Sequence, residues 1–180
     1  MVFEAVEKGL DAVVCYPTAV IGPHDFRGSE SGKMIIDLTN NKIPAYVHGA
    51  YDFVDVRDVV DGMIRIMNTA KKGEDYILGG EKLTIKEFFE LMTKADQRIK
   101  LPSIVIPVPL AKFVARCTEF VSRLFGIEPF FTEFAIRVLQ SKHIISSQKA
   151  RKDLNYNPRP IFESIEDSLE WHKEQGNIKL

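Results

Sequence analysis

Residues 11–23, DAVVCYPTAVIGP, decide the predicted fold of this chain. Residues 12–16 form a short apolar run with two adjacent valines, which is typical of a strand buried on both faces of a parallel sheet. Pro17 has no N–H to donate, so we expect the hydrogen-bond ladder to end there. Residues 18–23 are then predicted to form a loop at the carboxyl end of the strand, where open α/β sheets bind ligands.

Helices and strands alternate along the rest of the chain. Residues 2–10 read as the end of a helix closed by Gly9, and Thr84 with Glu87 has the spacing of a capping box. Apolar periodicity predicts further helices at residues 33–40, 59–70, 84–92, 110–124, 132–140, 146–154 and 163–175, and strands at residues 44–47, 51–56 and 75–78. This pattern indicates an α/β protein.

The composition excludes several classes of protein. The 180 residues are long enough to bury one core, and a formal net charge of -1 gives no general reason to expect nucleic acid or an anionic membrane as partner. Cys15 and Cys117 are interpreted as reduced core thiols. No apolar run has the length of a membrane span, and charged residues interrupt the N-terminal segment, so we expect a cytoplasmic location.

The longest amphipathic pattern covers residues 110–124 and ends at Gly126. Its apolar residues recur at intervals of three and four: Leu110, Val114, Cys117, Val121 and Leu124. We interpret it as a helix that faces the core or a second copy of the chain. A helix that binds a membrane surface or another partner is the alternative.

Local motifs for common chemistries are missing from the sequence. It contains no glycine-rich dinucleotide turn, no Walker-type phosphate loop and no Gly-x-Ser-x-Gly. The histidines are too far apart for helical metal spacing: His24, His48, His143 and His172. We therefore expect no metal site.

An acidic run coincides with a predicted strand and the helix that follows it. Asp52, Asp55, Asp58 and Asp61 do not have the spacing of a calcium loop. Capping of the helix explains them better, with Asp58 as the predicted cap. Arg57 lies just beyond the strand and is interpreted as a surface or capping group.

Four segments, in this order, resemble a known family: DAVVCYPTAVIGPHDFR, YDFVDVRDVVDG, YILGGEKLTIKEF and ARKDLNYNPRP. They are similar to the C-terminal half of an extended short-chain dehydrogenase/reductase of the NAD-dependent epimerase/dehydratase group, and most to its dihydroflavonol-reductase-like branch. The resemblance implies the C-terminal part of a Rossmann-type parallel sheet plus a mostly helical substrate-binding subdomain, with the N-terminal dinucleotide-binding part missing. Residues 1–180 would form a single unit, with 1–27 in the sheet and 28–180 mainly in the substrate-binding subdomain.

The resemblance also implies a cofactor site in the opening stretch. In this family a Pro-Thr pair lies beside the nicotinamide, and backbone groups just after it meet the carboxamide, which points to Pro17, Thr18, Ala19 and Val20. From the residues alone, a plain strand-ending turn would explain the same sequence. The full-length enzyme would bind NAD or NADP, and we expect weak or no binding by this chain.

Substrate-binding residues follow from the same resemblance. His24, Phe26 and Arg27 would lie on the substrate side of the crevice. Tyr51 stands where many nucleotide-sugar enzymes of the family carry an arginine that pairs with substrate phosphate. A tyrosine there removes a bidentate phosphate anchor and favours a less charged carbonyl or alcohol substrate.

The family's catalytic pair, Tyr-x-x-x-Lys, does not occur, because no tyrosine is followed by lysine four residues later. We therefore expect no catalytic residue here, and a chain that is inactive alone. The predicted function is the substrate-domain portion of an NAD(P)-dependent oxidoreductase or epimerase that transfers hydride to or from a carbonyl or alcohol substrate. The alternatives are a nucleotide-sugar epimerase/dehydratase and a non-catalytic ligand-binding or interaction module. Expected partners are a small-molecule substrate and a second copy, through an exposed sheet edge or helix 110–124, with neither nucleic acid nor membrane.

Overall fold

The computed structural model describes residues 1–125, 133–141 and 145–178 of the chain. The helices in these ranges are α1 Val2–Glu7, α2 Glu30–Thr39, α3 Val56–Thr69, α4 Ile85–Ala95, α5 Val108–Phe125, α6 Glu133–Leu139, α7 Gln148–Leu154 and α8 Ile161–Glu174. The strands are β1 Val14–Pro17, β2 Ala19–Ile21, β3 Ala45–Val47, β4 Ala50–Asp55, β5 Asp75–Leu78, β6 Glu81–Thr84 and β7 Ile104–Ile106. None of the helices in the described ranges is both long enough and apolar enough to cross a membrane.

The strands form three small sheets. β1 pairs with β5 in parallel, from Val14 opposite Asp75 to Pro17 opposite Leu78. β4 lies between β2, which runs parallel to it, and β6, which runs antiparallel. β3 and β7 form a third, parallel pair. The α/β class and the parallel pairing predicted for the opening stretch are confirmed.

The prediction that β1 is buried on both faces is wrong. Val14 and Cys15 are half-buried, whereas Tyr16 and Pro17 are exposed. Within the described ranges β1 pairs only with β5, so its other edge is open. The apolar run predicted a strand correctly but could not show how many neighbours would cover it.

Pro17 is the last residue of β1, as predicted, but its missing N–H is not what ends the pairing with β5. The Val14 N–H donates to the Glu74 carbonyl just before β5, and the Thr18 N–H donates to the carbonyl of Leu78, the last residue of β5. Because successive N–H groups of a strand point to opposite sides, position 17 faces the open edge. A proline there removes no hydrogen bond of the β1–β5 ladder, which is how edge strands tolerate proline.

Residues 18–23 are only partly a loop. Ala19, Val20 and Ile21 form β2 by pairing with Phe53, Val54 and Asp55 of β4. Thr18 is therefore the single residue between two strands that belong to different sheets. Local sequence did not reveal this second strand, because its partner lies more than 30 residues away and supplies the pairing.

Helix α3 begins earlier than predicted. Asp55, and not Asp58, is its N-cap, and the Asp55 carboxylate accepts from the Arg57 backbone N–H at 2.8 Å. Helix α4 begins as predicted, because Thr84 and Glu87 form a reciprocal capping box.

Two hydrophobic clusters pack on opposite sides of β4. Phe53 belongs to the main cluster and stacks on Phe88 of α4 at a ring-centroid distance of 4.4 Å. Its neighbour Val54 belongs to a second cluster with Leu78 of β5 and Tyr156. Alternation along β4 thus directs successive side chains into two cores.

Helix α5 has the opposite orientation to the predicted core-facing one. Leu110, Phe113 and Val114 are exposed, and the helix packs inward through Ala111 and Ala115. The core-facing interpretation is wrong for these residues, and a helix that faces a second copy or a membrane surface stays a prediction. Gly126 and Thr132, the predicted end of this helix and start of the next, lie outside the described residues.

Candidate cofactor and substrate site

The carboxyl ends of two parallel strands meet at Thr18. Pro17 lies opposite Leu78, and the Thr18 N–H donates to the Leu78 carbonyl at 3.3 Å. One residue later the chain enters β2, which belongs to the neighbouring sheet. Ligand crevices of open α/β sheets lie outside strand carboxyl ends, at points where the chain changes direction across the sheet. The structure thus places the predicted cofactor residues at such a point.

Thr18 is packed against a glycine pair and a carboxylate. A Cβ added to Gly79 would lie 2.7 Å from Asp52 Oδ1 and 3.3 Å from Thr18 Cγ2, so only glycine fits here without displacing a neighbour. The Gly80 N–H donates to Asp52 Oδ1 at 2.9 Å. The Thr18 hydroxyl is shielded from solvent and has no hydrogen-bond partner among the described residues. Such a group can donate and accept a hydrogen bond with a planar amide placed beside it.

A cavity of about 160 Å³ continues from β2 toward the first turn of α2. Its lining includes Val20, Gly22, His24, Asp25 and Ser168. Ser168 is buried on α8, and its hydroxyl has no hydrogen-bond partner in the described part of the chain. Gly22 has a φ of +134°, and an added Cβ would lie 3.0 Å from Val56. The sharp turn at the end of β2 therefore depends on glycine.

Three rings cluster beside this cavity. His24 stacks on Phe26 at 6.0 Å, and Phe26 meets the Trp171 ring edge-to-face at 5.4 Å. Phe26 is 77% exposed, whereas Trp171 of α8 is buried. The structure therefore brings together two of the predicted substrate residues, and Trp171 is a third residue that sequence reasoning missed. Arg27 is exposed next to them in the chain.

Tyr51 lies elsewhere on the sheet. Its ring meets Phe53 edge-to-face at 5.9 Å and packs against the main hydrophobic cluster. Burial raises the pKa of the Tyr51 hydroxyl above its ordinary value. This tyrosine is thus neutral at physiological pH, and its ring packs with Phe53 on β4.

A network of charged side chains connects the start of α3 to α8 next to the cavity. The buried carboxylate of Asp55 accepts from the Arg57 guanidinium at 2.7 and 2.8 Å, and the same guanidinium reaches Asp167 of α8 at 2.6 Å. Burial raises the pKa of Asp55, but the hydrogen bonds from Arg57 outweigh it and the pKa lies below its usual value. Arg57 is therefore a half-buried link between α3 and α8 and not a surface group.

The acidic run is accounted for by hydrogen bonds and ion pairs. Asp52 binds Gly80, Asp58 binds Arg159 and Asp61 binds Arg65 on the next turn. Within the described ranges no group of three or more histidine, cysteine, aspartate or glutamate side chains is placed to hold a metal ion.

Comparison with known proteins identifies the family. Residues 2–79 match the model of the NAD-dependent epimerase/dehydratase family. A sterol demethylase protein B from Methylococcus capsulatus is 32% identical over 180 residues, covering 99% of this chain and 54% of that protein. Residues 2–79 belong to the NAD-dependent epimerase/dehydratase family.

Further relatives agree with this epimerase/dehydratase assignment. A candidate dihydroflavonol 4-reductase from Synechocystis is 25% identical over 179 residues, covering 97% of this chain and 52% of that protein. The crystal structure of gox2253 superposes with a TM-score of 0.79 at 32% identity, covering 98% of this chain and 54% of that one. The resemblance and the Rossmann-type fold expected from sequence are confirmed. The chain spans about half the length of the curated relatives it matches.

Proposed function

We propose that this chain forms the substrate-side part of an NAD(P)-dependent oxidoreductase that interconverts a carbonyl and an alcohol. The observation that carries the proposal is Thr18, which joins two sheets at the carboxyl ends of parallel strands and has a shielded hydroxyl without a partner among the described residues. Its position matches the rule for ligand crevices in α/β sheets.

The residues around Thr18 fit a nicotinamide. The unpartnered hydroxyl and the Gly79–Gly80 backbone suit a carboxamide, which both donates and accepts hydrogen bonds. Pro17, Ala19 and Val20 supply an apolar wall for the ring. When bound, the nicotinamide supplies or accepts the hydride. The part played by this chain is to position the ring and keep water from one of its faces.

The substrate would occupy the cavity beyond β2. Val20 and His24 both line this cavity, so it adjoins the proposed nicotinamide wall directly. The Ser168 hydroxyl offers one polar contact, and His24, Phe26 and Trp171 offer aromatic surface at its border. A mostly apolar lining with few polar groups favours a hydrophobic carbonyl or alcohol over a polyanion.

A substrate without phosphate agrees with two further observations. Tyr51, where nucleotide-sugar enzymes carry an anchoring arginine, packs into the hydrophobic core next to Phe53 and is neutral. The Methylococcus relative is named for a sterol, an apolar alcohol. Nucleotide-sugar epimerisation is therefore the less well supported of the two candidate functions for this chain.

Proton transfer would require residues that this sequence does not contain. No Tyr-x-x-x-Lys occurs in it, so we expect no turnover by the chain alone. The test is to produce, as a second polypeptide, the part of the Methylococcus relative that this chain does not match, and to assay each part and the mixture. One assay contains NADPH with apolar ketones and aldehydes. A separate assay contains NAD with nucleotide sugars.

We expect reduction of apolar carbonyls by the mixture and by neither part alone. Ser168→Ala and Phe26→Ala should raise KM in the mixture, because Ser168 lines the proposed substrate cavity and Phe26 stacks on His24, which also lines it. Efficient turnover by this chain alone would contradict the proposal. Activity of the mixture restricted to nucleotide sugars would assign the alternative function.

A further inference from the structure

Helix α5 directs its large apolar side chains away from the protein. Leu110, Phe113 and Val114 are 53%, 66% and 48% exposed, whereas Ala111 and Ala115 on the adjacent face are buried. Positions 110, 113 and 114 share one side of a helix because they are spaced by three and four residues. A helix that packs through alanine and exposes phenylalanine and leucine is typical of an interaction surface.

The segment that leads into α5 has the same character. Leu101, Ile104 and Val105 are 39%, 59% and 38% exposed. β7 contains the last two and is separated from α5 only by Pro107. Exposed apolar side chains thus occur on two consecutive elements and not at one isolated position.

This segment carries an excess of positive charge. Residues 96–119 contain Arg98, Lys100, Lys112 and Arg116 against Asp96 and Glu119, in a chain whose net charge is -1. Arg98 is ion-paired with Asp96. Lys112 and Arg116 are four residues apart, so they lie on the same side of α5 and border its exposed apolar face. The nearly neutral whole chain therefore has a locally basic, apolar surface.

We propose that the exposed apolar face of α5, formed by Leu110, Phe113 and Val114, docks on an anionic lipid membrane. The apolar side chains would enter the boundary between headgroups and acyl chains, and the flanking lysine and arginine side chains would meet lipid phosphates. This is attachment to one membrane face and needs no spanning helix. A second copy fits less well, since two-fold pairing of this face would bring its basic residues together.

The test is flotation of the full chain with vesicles of phosphatidylcholine alone and of phosphatidylcholine with phosphatidylserine. We expect binding to the anionic vesicles that falls as salt rises, because salt screens the lysine and arginine charges. The double variant Leu110→Ser with Phe113→Ser should lower partitioning about tenfold or more, since each side chain loses apolar burial. Lys112→Gln, which keeps the apolar face, should lower it severalfold at low salt.

A matched control uses exposed apolar residues at the same spacing on α3. Ile64→Ser with Met67→Ser changes side chains that are 51% and 84% exposed and should leave vesicle binding unchanged. Thermal unfolding of both double variants shows whether they remain folded. Equal loss of binding in both doubles, equal binding to neutral and anionic vesicles, or no binding would overturn the proposal. Self-association that depends on Leu110 and Phe113, without vesicle binding, would assign the surface to a second copy.

Discussion

Arg159 binds Asp58 through both its backbone and its side chain. The backbone N–H donates to Asp58 Oδ2 at 2.9 Å, and the guanidinium donates to Asp58 Oδ1 from Nη2 at 3.0 Å. These residues are 101 positions apart, and their contact joins the first turn of α3 to the segment that enters α8. α8 carries Ser168 and α3 carries Val56, and both residues line the proposed substrate cavity. This ion pair therefore holds two walls of the cavity together.

Asp58→Asn should therefore destabilise the chain. Asp58 is buried, and its replacement removes the carboxylate that accepts the hydrogen bonds of Arg159. This leaves Asp55, 3.9 Å away, as a more distant countercharge and should lower the free energy of unfolding by about 2 kcal/mol. Urea denaturation measures the change. Asp61→Asn on the same helix is the control, because Asp61 forms only an exposed pair with Arg65 and should cost about 0.5 kcal/mol or less. Equal effects would show that burial of the Asp58 pair contributes nothing.

Stability should fall in acid because of Asp55. The hydrogen bonds from Arg57 hold the pKa of this carboxyl below its usual value, despite an opposing effect of burial. The stabilisation is present above the unfolded pKa of about 3.9 and is lost as pH falls through the folded pKa below it. Urea denaturation from about pH 6 down to about pH 3 should show this loss, and a flatter curve for Asp55→Asn. Parallel curves for the two proteins would exclude Asp55 as the cause.

His172 should cause a second loss of stability as pH falls, in a pH range above that of Asp55. Its imidazole is buried on α8, and burial lowers its pKa, with a smaller opposing effect of Asp25. As pH falls below about 6.5, the unfolded chain takes up a proton that the folded imidazole does not bind, so the free energy of unfolding decreases. His172→Gln should remove this slope between about pH 7 and pH 5. His48→Gln, at an exposed position, should retain it, and a slope that persists in His172→Gln would contradict the prediction.

The open edge of β1 should mediate self-association. By alternation from Val14 and Thr18, the Cys15 N–H points away from β5 and the Tyr16 N–H points toward it. We expect concentration-dependent association of the chain in sedimentation under reducing conditions, because unpaired edges bind other strands. Cys15→Pro removes only the edge donor and should abolish association that runs through this edge.

Tyr16→Pro is the matched control for the edge variant. It removes an N–H directed at β5 and should lower the free energy of unfolding by about 3 kcal/mol. A wild-type chain that remains monomeric at high concentration, or that associates equally after Cys15→Pro, would show that this edge is not the contact.

Sequence predicted the elements that depend on local interactions. The strand Asp75–Leu78 has the predicted bounds, and the Thr84–Glu87 capping box forms as its spacing indicates. β6, Glu81–Thr84, was missed because Leu83 is its only buried residue and its strand character comes from pairing with β4. Tertiary contacts of this kind have no local signal.

The sequence predicts the turn at Pro17 and Thr18 but not the α8 residues that lie beside the proposed substrate cavity. Family resemblance points to Pro17 and Thr18, and the structure places them at the carboxyl ends of β1 and β5. Trp171 could not be assigned to the site, because α8 approaches His24 only after the chain has folded. The exposed face of α5 was also misjudged, since periodicity identifies an apolar stripe but not the direction in which it faces.

Substitution of Thr18 tests whether its hydroxyl binds the cofactor. Its hydroxyl has no partner within the described ranges, so Thr18→Val removes a buried polar group at nearly constant volume. We expect the free energy of unfolding to stay the same or rise by up to about 1 kcal/mol. Binding of a nicotinamide should weaken, because the hydrogen bond to the carboxamide is lost. A clear loss of stability would indicate that the hydroxyl already has a structural role.

Amide NMR of the chain during titration with reduced nicotinamide mononucleotide at millimolar concentrations shows whether the Thr18 turn borders a nicotinamide pocket. We expect shift changes concentrated at Thr18, Ala19, Val20, Gly79 and Gly80, and smaller changes in Thr18→Val. Changes confined to other parts of the chain, or changes at these residues that are unaltered in Thr18→Val, would contradict the assignment of this turn to a nicotinamide pocket.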